Sequence, residues 1–178
     1  IDKETNTVTL LNPNTGVDLG FIAKGYIADK MKEYLISQNV DSALINLGGN
    51  LLAVGSKPDH TPFQFGIQKP FDEQGTPITT VSVSDKSVVS SGIYERFFYE
   101  NNVLYHHILN PETGYPVQNE LLAVTILSDS STMGDALSTT CLVLGLENGM
   151  KLIESLAGIE AIFVTDDYSL HYTSGIEP

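Results

Sequence analysis

One carboxylate and two hydroxyls share a predicted helical face in residues 132–141 of this 178-residue sequence. Asp135 and Thr139 stand at i and i+4, and Ser138 lies beside them, so a helix places all three on one side. Their oxygens are hard ligands of the kind that Mg²⁺ accepts, with water and phosphate oxygens completing its octahedron. The alternative is structural: Asp135 caps the helix, and the hydroxyls bond back to helix carbonyls. Spacing alone favours the structural alternative.

Two adjacent histidines, His106 and His107, lie in the predicted strand Val103–Leu109. Neighbouring side chains of a strand point to opposite faces, so the two imidazoles cannot readily bind the same metal ion. One of them should face inward, where a neutral imidazole is able to act as a general base. A hydrogen-bonded core histidine is the more common case. The segment that follows, Asn110–Gly114, is typical of a turn.

Three glycine-containing segments are compatible with phosphate binding. Val17–Asp29 leads from a glycine turn into a predicted helix, whose first turn offers N–H groups to an anion while Lys24 adds a positive charge. Gly48–Gly49 permits close backbone approach to a ligand, and Ser90–Gly92 offers two hydroxyls to phosphate or ribityl oxygens. The structural alternatives are an N-capped helix with a solvated lysine, an ordinary hairpin turn and the end of a strand.

The elements that must position these residues are a run of strands and a few helices. Helical spacing of apolar residues predicts a helix from Ala23 to about Ser37 and two more at Met133–Leu144 and Asn148–Leu156. Alternation and turn residues predict strands at Thr5–Leu11, Ser42–Leu47, Leu51–Val54, Phe63–Gln68, Thr79–Val83, Ser87–Ser90, Glu95–Tyr99, Val103–Leu109, Leu122–Leu127, Ala161–Thr165 and Ser169–Tyr172. This pattern predicts an α+β fold with a mixed or antiparallel sheet and a few packed helices, in a single domain over residues 1–178.

The charge of the chain excludes two classes of partner. Nine Lys and Arg against 22 Asp and Glu give a formal net charge of −13. Binding to nucleic acid depends on Lys and Arg that neutralise phosphates, and an anionic membrane surface needs the same residues. An acidic protein that binds a pyrophosphate therefore needs a metal ion or a cluster of amide donors. The single cysteine, Cys141, lies in an apolar run and is predicted to be buried in the core.

Taken in order, the candidate segments resemble one family, the ApbE flavin transferases, whose former name is thiamine biosynthesis lipoproteins. The matching stretches are Val17–Asp29, Asn46–Gly49, Ser90–Arg96, His107–Pro116 and Asp135–Thr139. Each is weak alone, but five in register are specific, and together they outweigh the structural alternatives. The resemblance covers the C-terminal portion of the family. The family's N-terminal region, which supplies part of the FAD pocket, is therefore expected to lie outside these residues.

The resemblance implies a reaction and a role for each site residue. FAD is cleaved at its pyrophosphate, FMN is esterified to a threonine or serine of a target protein, and AMP leaves. FAD is then the substrate and Mg²⁺ the cofactor. The implied roles are the base, His107; FAD binding, Asp18, Lys24 and Ile108; lining of the site, Ser91, Gly92 and the pair Gly48–Gly49; and metal ligands, Asp135, Thr139 and the backbone carbonyl of Phe21.

The resemblance also implies a partner and a location. The partner is an acceptor flavoprotein, either a subunit of a membrane redox complex or a secreted flavoprotein, and the location is extracytoplasmic, with a lipid anchor on the full-length protein. Two other functions stay open: FAD binding or trafficking without transfer, and metal-dependent FAD pyrophosphatase activity. Phe21 stands where the family often has a small residue, so its ring is expected to narrow the flavin pocket. His106, on the opposite strand face, is expected to tolerate replacement by alanine.

Overall fold

The structure is a computed structural model that describes residues 1–176, and within them it contains two helices and ten strands. In chain order the elements are α1 (Gly20–Ser37), β1 (Ser42–Asn46), β2 (Asn50–Gly55), β3 (Phe63–Gln68), β4 (Pro77–Val83), β5 (Ser87–Gly92), β6 (Phe97–Glu100), β7 (Val103–His106), β8 (Leu121–Ser128), α2 (Ser131–Glu154), β9 (Glu160–Thr165) and β10 (Leu170–Tyr172). This arrangement confirms the predicted α+β class. None of the helices in the described part of the chain is long and apolar enough to cross a membrane.

The main sheet has six strands in the order β1-β2-β5-β8-β9-β10. Every neighbouring pair in it runs antiparallel. β3 with β4, and β6 with β7, form two separate antiparallel hairpins. Strand β8 lies near the middle of the sheet and is buried along almost its whole length, which explains its continuous apolar sequence.

Both faces of the main sheet are covered. On one face α2 packs against the sheet, in a cluster that includes Ile126, Phe163 and the predicted core cysteine, Cys141. On the other face the β3–β4 hairpin covers the sheet, in a cluster that includes Phe65 and Val88. Because both faces are buried, the sheet is a rigid scaffold for the loops that project from its edge.

Helix α1 lies directly against the start of α2. A Cβ atom at Gly25 would stand 2.2 Å from the carbonyl oxygen of Ser131, so only glycine permits this approach. Gly25 and Ala28 are the buried residues of α1, and Ala28 packs with Leu52 of β2. The small residues of α1 therefore bring the N-terminal parts of the two helices side by side.

The predicted strand Thr5–Leu11 is wrong. The structure has only an isolated bridge between Asp2 and Thr7 in this region. The Asp2 carboxylate accepts the N–H groups of Glu4 and Thr5 and so closes a turn. The apolar side chains that follow are exposed, because no strand edge or apolar layer of residues 1–176 lies against them.

The two predicted C-terminal helices are joined in α2, which is broken at Gly145 with φ 78° and ψ 174°. The backbone groups released at the break are satisfied from the loop before β8. Glu120 Oε1 accepts the Leu146 N–H at 2.9 Å, and Asn119 Nδ2 donates to the Leu142 carbonyl at 2.7 Å. Glycine at this position allows the positive φ that the break requires.

Candidate active site

Nine residues to which the sequence assigned a site role line one cavity of about 490 Å³, together with Gly48, whereas Gly49, the other member of the predicted glycine pair, does not line it. The start of α1, the end of β5, the segment after β7 and the second and third turns of α2 form its walls. The nine residues are Asp18, Phe21, Lys24, Ser91, Gly92, His107, Ile108, Asp135 and Thr139. Segments as distant in the chain as those of Asp18 and Thr139 thus meet at one place. The individual roles stay predictions.

Asp135 is a nearly buried carboxylate, 4% exposed, in the second turn of α2. Its Oδ2 accepts the backbone N–H of Gly25 from α1, which leaves Oδ1 for a partner in the cavity. The residue that caps α2 is Ser130, whose hydroxyl accepts the Met133 N–H. The structural alternative, in which Asp135 caps the helix, is therefore wrong.

The hydroxyls of α2 divide into two kinds. Ser138 and Thr140 donate back to helix carbonyls, at 3.1 Å and 2.8 Å, as the structural alternative predicted. Thr139 lies at the cavity, with its Oγ1 3.2 Å from the Ser91 hydroxyl of β5. Ser91 also contacts the Ser138 hydroxyl at 2.7 Å. Ser91 therefore ties β5 to α2 beside Thr139.

The third oxygen of the predicted metal site is the carbonyl of Phe21, in the first turn of α1. In a regular helix this carbonyl would accept the N–H of Gly25. The same N–H contacts Asp135 Oδ2, and a carbonyl oxygen has two lone pairs, so the Phe21 carbonyl has acceptor capacity for a further partner close to the carboxylate. The Phe21 residue is 49% exposed, so its ring is not packed into the interior.

A cation at this place would have few charged protein ligands. No group of three His, Cys, Asp or Glu residues within residues 1–176 is arranged to hold a metal. The donors that meet here are one carboxylate, Asp135, one hydroxyl, Thr139, and one carbonyl, that of Phe21. This set suits a hard ion that takes its remaining ligands from water and phosphate.

The glycine turn Gly48–Gly49 is both a hairpin and part of the cavity wall. It joins β1 to β2 as a two-residue hairpin turn, with φ 61° at Gly48 and φ 82° at Gly49. Positive φ angles at both positions give such a turn the twist that matches its flanking strands. Lys24 Nζ donates to the Gly48 carbonyl at 3.0 Å. The turn therefore positions the one lysine of the cavity.

Asp18 corrects the prediction of an open anion site at the start of α1. Its Oδ1 accepts the Gly20 N–H at 2.6 Å, so a carboxylate already occupies the helix start. A second anion there would be repelled. Asp18 is instead suited to accept hydrogen bonds from ribose hydroxyls or an amino group, because an ionised carboxylate only accepts.

His106 and His107 point to opposite sides, as predicted. His106 is 8% exposed; its Nε2 donates to the Val117 carbonyl at 2.9 Å, and its Nδ1 accepts the Ile108 N–H. Burial lowers the pKa of His106 below its ordinary value, which keeps the ring neutral. That transfer tolerates alanine at this position stays a prediction, although alanine removes the two hydrogen bonds through which the ring holds the loop to Val117.

His107 is exposed and lines the cavity. Its Nδ1 lies 3.2 Å from the backbone carbonyl oxygen of Arg96. Because a carbonyl only accepts hydrogen bonds, Nδ1 carries a proton, so in the neutral tautomer the lone pair lies on Nε2. A neutral imidazole with a free Nε2 has the form that a general base requires. Strand β7 ends at His106, which is earlier than the predicted end at Leu109, so His107 is the first residue of the loop that follows.

Two residues that matter to the site had no role predicted from the sequence. Arg96 lines the cavity and is the only arginine of the chain. Asp29 of α1 accepts hydrogen bonds from the Ser131 N–H and from the N–H and hydroxyl of Thr132, all at the start of α2. The uniqueness of Arg96 was a usable signal, whereas nothing local in the sequence links Asp29 to residues so far along the chain.

Asp29 has a lowered pKa. Burial alone would raise the pKa of this carboxyl, but the hydrogen bonds from Thr132, Ser131 and Ser130 outweigh it. The carboxylate is therefore held ionised at the N-terminus of α2, where the helix dipole also favours a negative charge. This contact fixes the position of α2, and hence of Asp135, against α1.

Known proteins resemble this chain in sequence and in fold. A family profile for the "ApbE family" matches residues 1–163. A protein of Klebsiella pneumoniae named "FAD:protein FMN transferase" is 41% identical over 174 residues, which are 98% of this chain and 53% of that protein. One of the same name from Treponema pallidum is 40% identical over 179 residues, covering 96% of this chain and 49% of that protein.

Two solved structures share the fold. The ApbE protein of Thermotoga maritima superposes with a TM-score of 0.80 at 30% identity, over 89% of this chain and 52% of that one. The flavinyl transferase ApbE of Pseudomonas stutzeri, in its apo form, gives 0.74 at 34% identity, over 89% and 49%. The chain spans about half the length of the relatives that it matches. The profile match and these relatives show that the chain belongs to the ApbE family.

Proposed function

We propose that the full-length protein transfers FMN from FAD to a threonine or serine hydroxyl of a target flavoprotein, in a Mg²⁺-dependent reaction that releases AMP. The observation that carries the proposal is the meeting, in one cavity, of His107 with a free Nε2 and Asp135 with a free Oδ1. The relatives named for this activity support it, since they match nearly the whole chain.

The residues that would hold Mg²⁺ are Asp135 and Thr139, through their side chains, and Phe21, through its carbonyl. When bound, the ion would neutralise the pyrophosphate charge and orient its oxygens. A chain with a net charge of −13 has particular need of such a counter-charge. Gly25 has a supporting task, because its N–H holds Asp135 Oδ2 and so turns the other oxygen to the cavity.

The remaining cavity residues would bind FAD. Lys24 supplies a positive charge for a phosphate, and Asp18 accepts hydrogen bonds from hydroxyls or an amino group. Ile108, 6% exposed, gives the wall an apolar surface for a ring system. Gly92 lies in close contact with the ring of Tyr94, so the wall there is backbone with no room for a larger side chain. Ser91 holds this wall to α2.

His107 would activate the acceptor. Its Nε2 takes the proton of the threonine or serine hydroxyl as that oxygen attacks the phosphorus of the FMN half. A bond forms between the acceptor oxygen and this phosphorus, and the bond from phosphorus to the bridging oxygen breaks. AMP leaves with the bridging oxygen, and the proton taken by His107 passes to solvent or to AMP.

One observation favours FAD pyrophosphatase activity as a second function. His107 is exposed, so water is able to reach the same Nε2 when no acceptor is present. Attack by water in place of the hydroxyl gives FMN and AMP.

The experiment incubates the full-length protein with FAD, Mg²⁺ and candidate acceptors. Covalent flavin on an acceptor, found by in-gel fluorescence and mass spectrometry, supports transfer. FMN and AMP without labelled acceptor support the pyrophosphatase. FAD that is bound and unchanged supports a binding or trafficking protein and contradicts both proposals.

We also propose that the acceptor belongs to a membrane redox complex or is a secreted flavoprotein, and that the full-length protein is lipid-anchored and extracytoplasmic. The support is the family resemblance alone. Fractionation of cells that produce the full-length protein, with and without replacement of a lipidated cysteine, tests the location. Recovery of the protein in the cytoplasm contradicts it.

A further inference from the structure

A second cationic residue, the exposed Arg96, also lines the cavity. Arginine offers several N–H donors in a fixed plane that matches two oxygens of a phosphate, which a lysine ammonium does not. Arg96 is the only arginine among the 178 residues. A phosphate ligand that needs planar, paired recognition in this chain therefore has one candidate partner.

Arg96 stands out from most of the other cations because no carboxylate neutralises it. Five lysines form ion pairs: Lys30, Lys32, Lys69, Lys86 and Lys151. Within residues 1–176, the guanidinium of Arg96 makes no ion pair, hydrogen bond or stacking contact with an aromatic ring. In a chain with 22 acidic residues, the unpartnered guanidinium of a residue that lines the cavity is available to an incoming anion.

The backbone at Arg96 is held in place from two sides. On one side the ring of Tyr94 packs on Gly92, and the Glu95 N–H donates to the Gly92 carbonyl. On the other side the Arg96 carbonyl accepts both the backbone N–H and the Nδ1–H of His107, each at 3.2 Å. Arg96 and His107 thus form one unit of the cavity wall.

This pairing indicates which phosphate Arg96 would meet. The base must lie beside the phosphorus that the acceptor attacks, and Arg96 is bonded to the residue that supplies the base. Lys24, in contrast, is bonded to the Gly48 carbonyl on another wall. Two cations on separate walls are able to contact the two phosphates of one pyrophosphate.

We propose that Arg96 binds the phosphate of the FMN half of FAD and stabilises the negative charge on that phosphate as the acceptor oxygen attacks. The inference rests on the proposed function, of which it names a further substrate-binding residue. Arg96 donates to the non-bridging oxygens, and His107 takes the acceptor proton at the same phosphorus.

The test compares FAD with riboflavin, which has the same ring and ribityl chain but no phosphate. Arg96→Ala and Arg96→Lys are made in the full-length protein, with Lys57→Ala as the control that removes one positive charge outside the cavity. Flavin fluorescence gives the two dissociation constants, thermal melting checks the fold, and single-turnover transfer at saturating FAD gives the rate.

We expect Arg96→Ala to weaken FAD binding about tenfold, because a charge-assisted hydrogen bond is lost, and to leave riboflavin binding unchanged. The transfer rate should fall about 10²-fold, with Arg96→Lys between it and the wild type. Lys57→Ala should match the wild type in every measurement.

Three results would overturn the inference: equal weakening of FAD and riboflavin, no change in either FAD binding or rate, or a change confined to the KM for the acceptor. The proposed function fails separately. A wild-type protein that transfers no flavin contradicts the proposed function, whereas the comparison of FAD with riboflavin still decides whether Arg96 binds phosphate.

Discussion

Two aspartates join α1 to α2, and they differ in what is left of each carboxylate. Asp29 uses both oxygens: Oδ1 accepts the Ser131 N–H at 2.7 Å, and Oδ2 accepts from Ser130 and Thr132. Asp135 uses only Oδ2, for the Gly25 N–H, and keeps Oδ1 at the cavity. Both oxygens of Asp29 therefore serve the packing of the two helices, whereas Asp135 has one oxygen left for a ligand.

His106 and His107 also differ in how many of their polar atoms are hydrogen-bonded. His106 has both ring nitrogens bonded to backbone, whereas His107 has one bonded and one free. Residue type does not separate the members of either pair. The number of polar atoms left unbonded does separate them, and in each pair the member with an unbonded atom is the one to which we assign a role in the proposed function.

The largest effect should come from Asp135. Asp135→Asn keeps an oxygen able to accept the Gly25 N–H but removes the only negative charge among the three proposed metal ligands, so we expect Mg²⁺-dependent transfer to be abolished. The melting temperature should stay close to that of the wild type. A destabilised but active Asp135→Asn protein would show that this carboxylate is structural, like Asp29.

The next largest effect should come from His107. A positioned base contributes about 10²–10⁴-fold to a rate, so His107→Ala should lower transfer by that factor while FAD binding, which needs no base, changes little. In the full-length protein, time courses of flavin transfer measure the rate, and flavin titration measures the affinity for FAD. His106→Ala serves as the matched control. If a well-folded His106→Ala protein loses transfer while the His107→Ala protein stays active, the base is His106 and not His107.

Asp29 should affect stability and not chemistry. Asp29→Ala leaves the first N–H groups of α2 without their acceptor, which should lower the free energy of unfolding by about 1–3 kcal/mol. Urea unfolding of the full-length protein measures this change. Transfer at saturating FAD and Mg²⁺ should persist in the folded fraction, and its complete loss would show that α2 cannot hold Asp135 in place without this cap.

The smallest effect is a pH dependence due to His106. Its pKa in the folded protein lies below the ordinary value of 6.5, so below about pH 6.5 the unfolded chain binds the proton more readily than the folded one. The stabilising contribution is therefore complete above pH 6.5 and is lost as the pH falls toward the folded-state pKa. Comparison of unfolding free energies for wild type and His106→Gln between about pH 5 and pH 8 tests this, and parallel curves would contradict it.

The sequence predicted what depends on local periodicity. Helical spacing placed Asp135 and Thr139 on one face, and the predicted separation of His106 from His107 is confirmed, although His107 lies just beyond the end of β7. The family resemblance then linked segments that no local rule connects, and all the predicted site residues except Gly49 line one cavity.

What the sequence did not reveal depends on tertiary contacts. The segment Thr5–Leu11 alternates like a strand but has no partner edge, and Asp29 finds its donors only when α2 lies against α1. The negative charge of Asp18 at the start of α1 favours a hydrogen-bond donor of the ligand there over an anionic group. In each case the deciding atom lies elsewhere in the chain or on a side chain whose direction the pattern does not fix.

The most direct test of the account is the Mg²⁺ dependence of FAD binding by the full-length protein and by its Asp135→Asn and Asp29→Asn variants. A metal site short of protein ligands should bind Mg²⁺ together with the nucleotide, so Mg²⁺ should tighten FAD binding in the wild type and in Asp29→Asn. In Asp135→Asn this gain should disappear while the melting temperature is kept. FAD binding by Asp135→Asn that Mg²⁺ still tightens as in the wild type would contradict the assignment of this cavity as the metal-dependent flavin site.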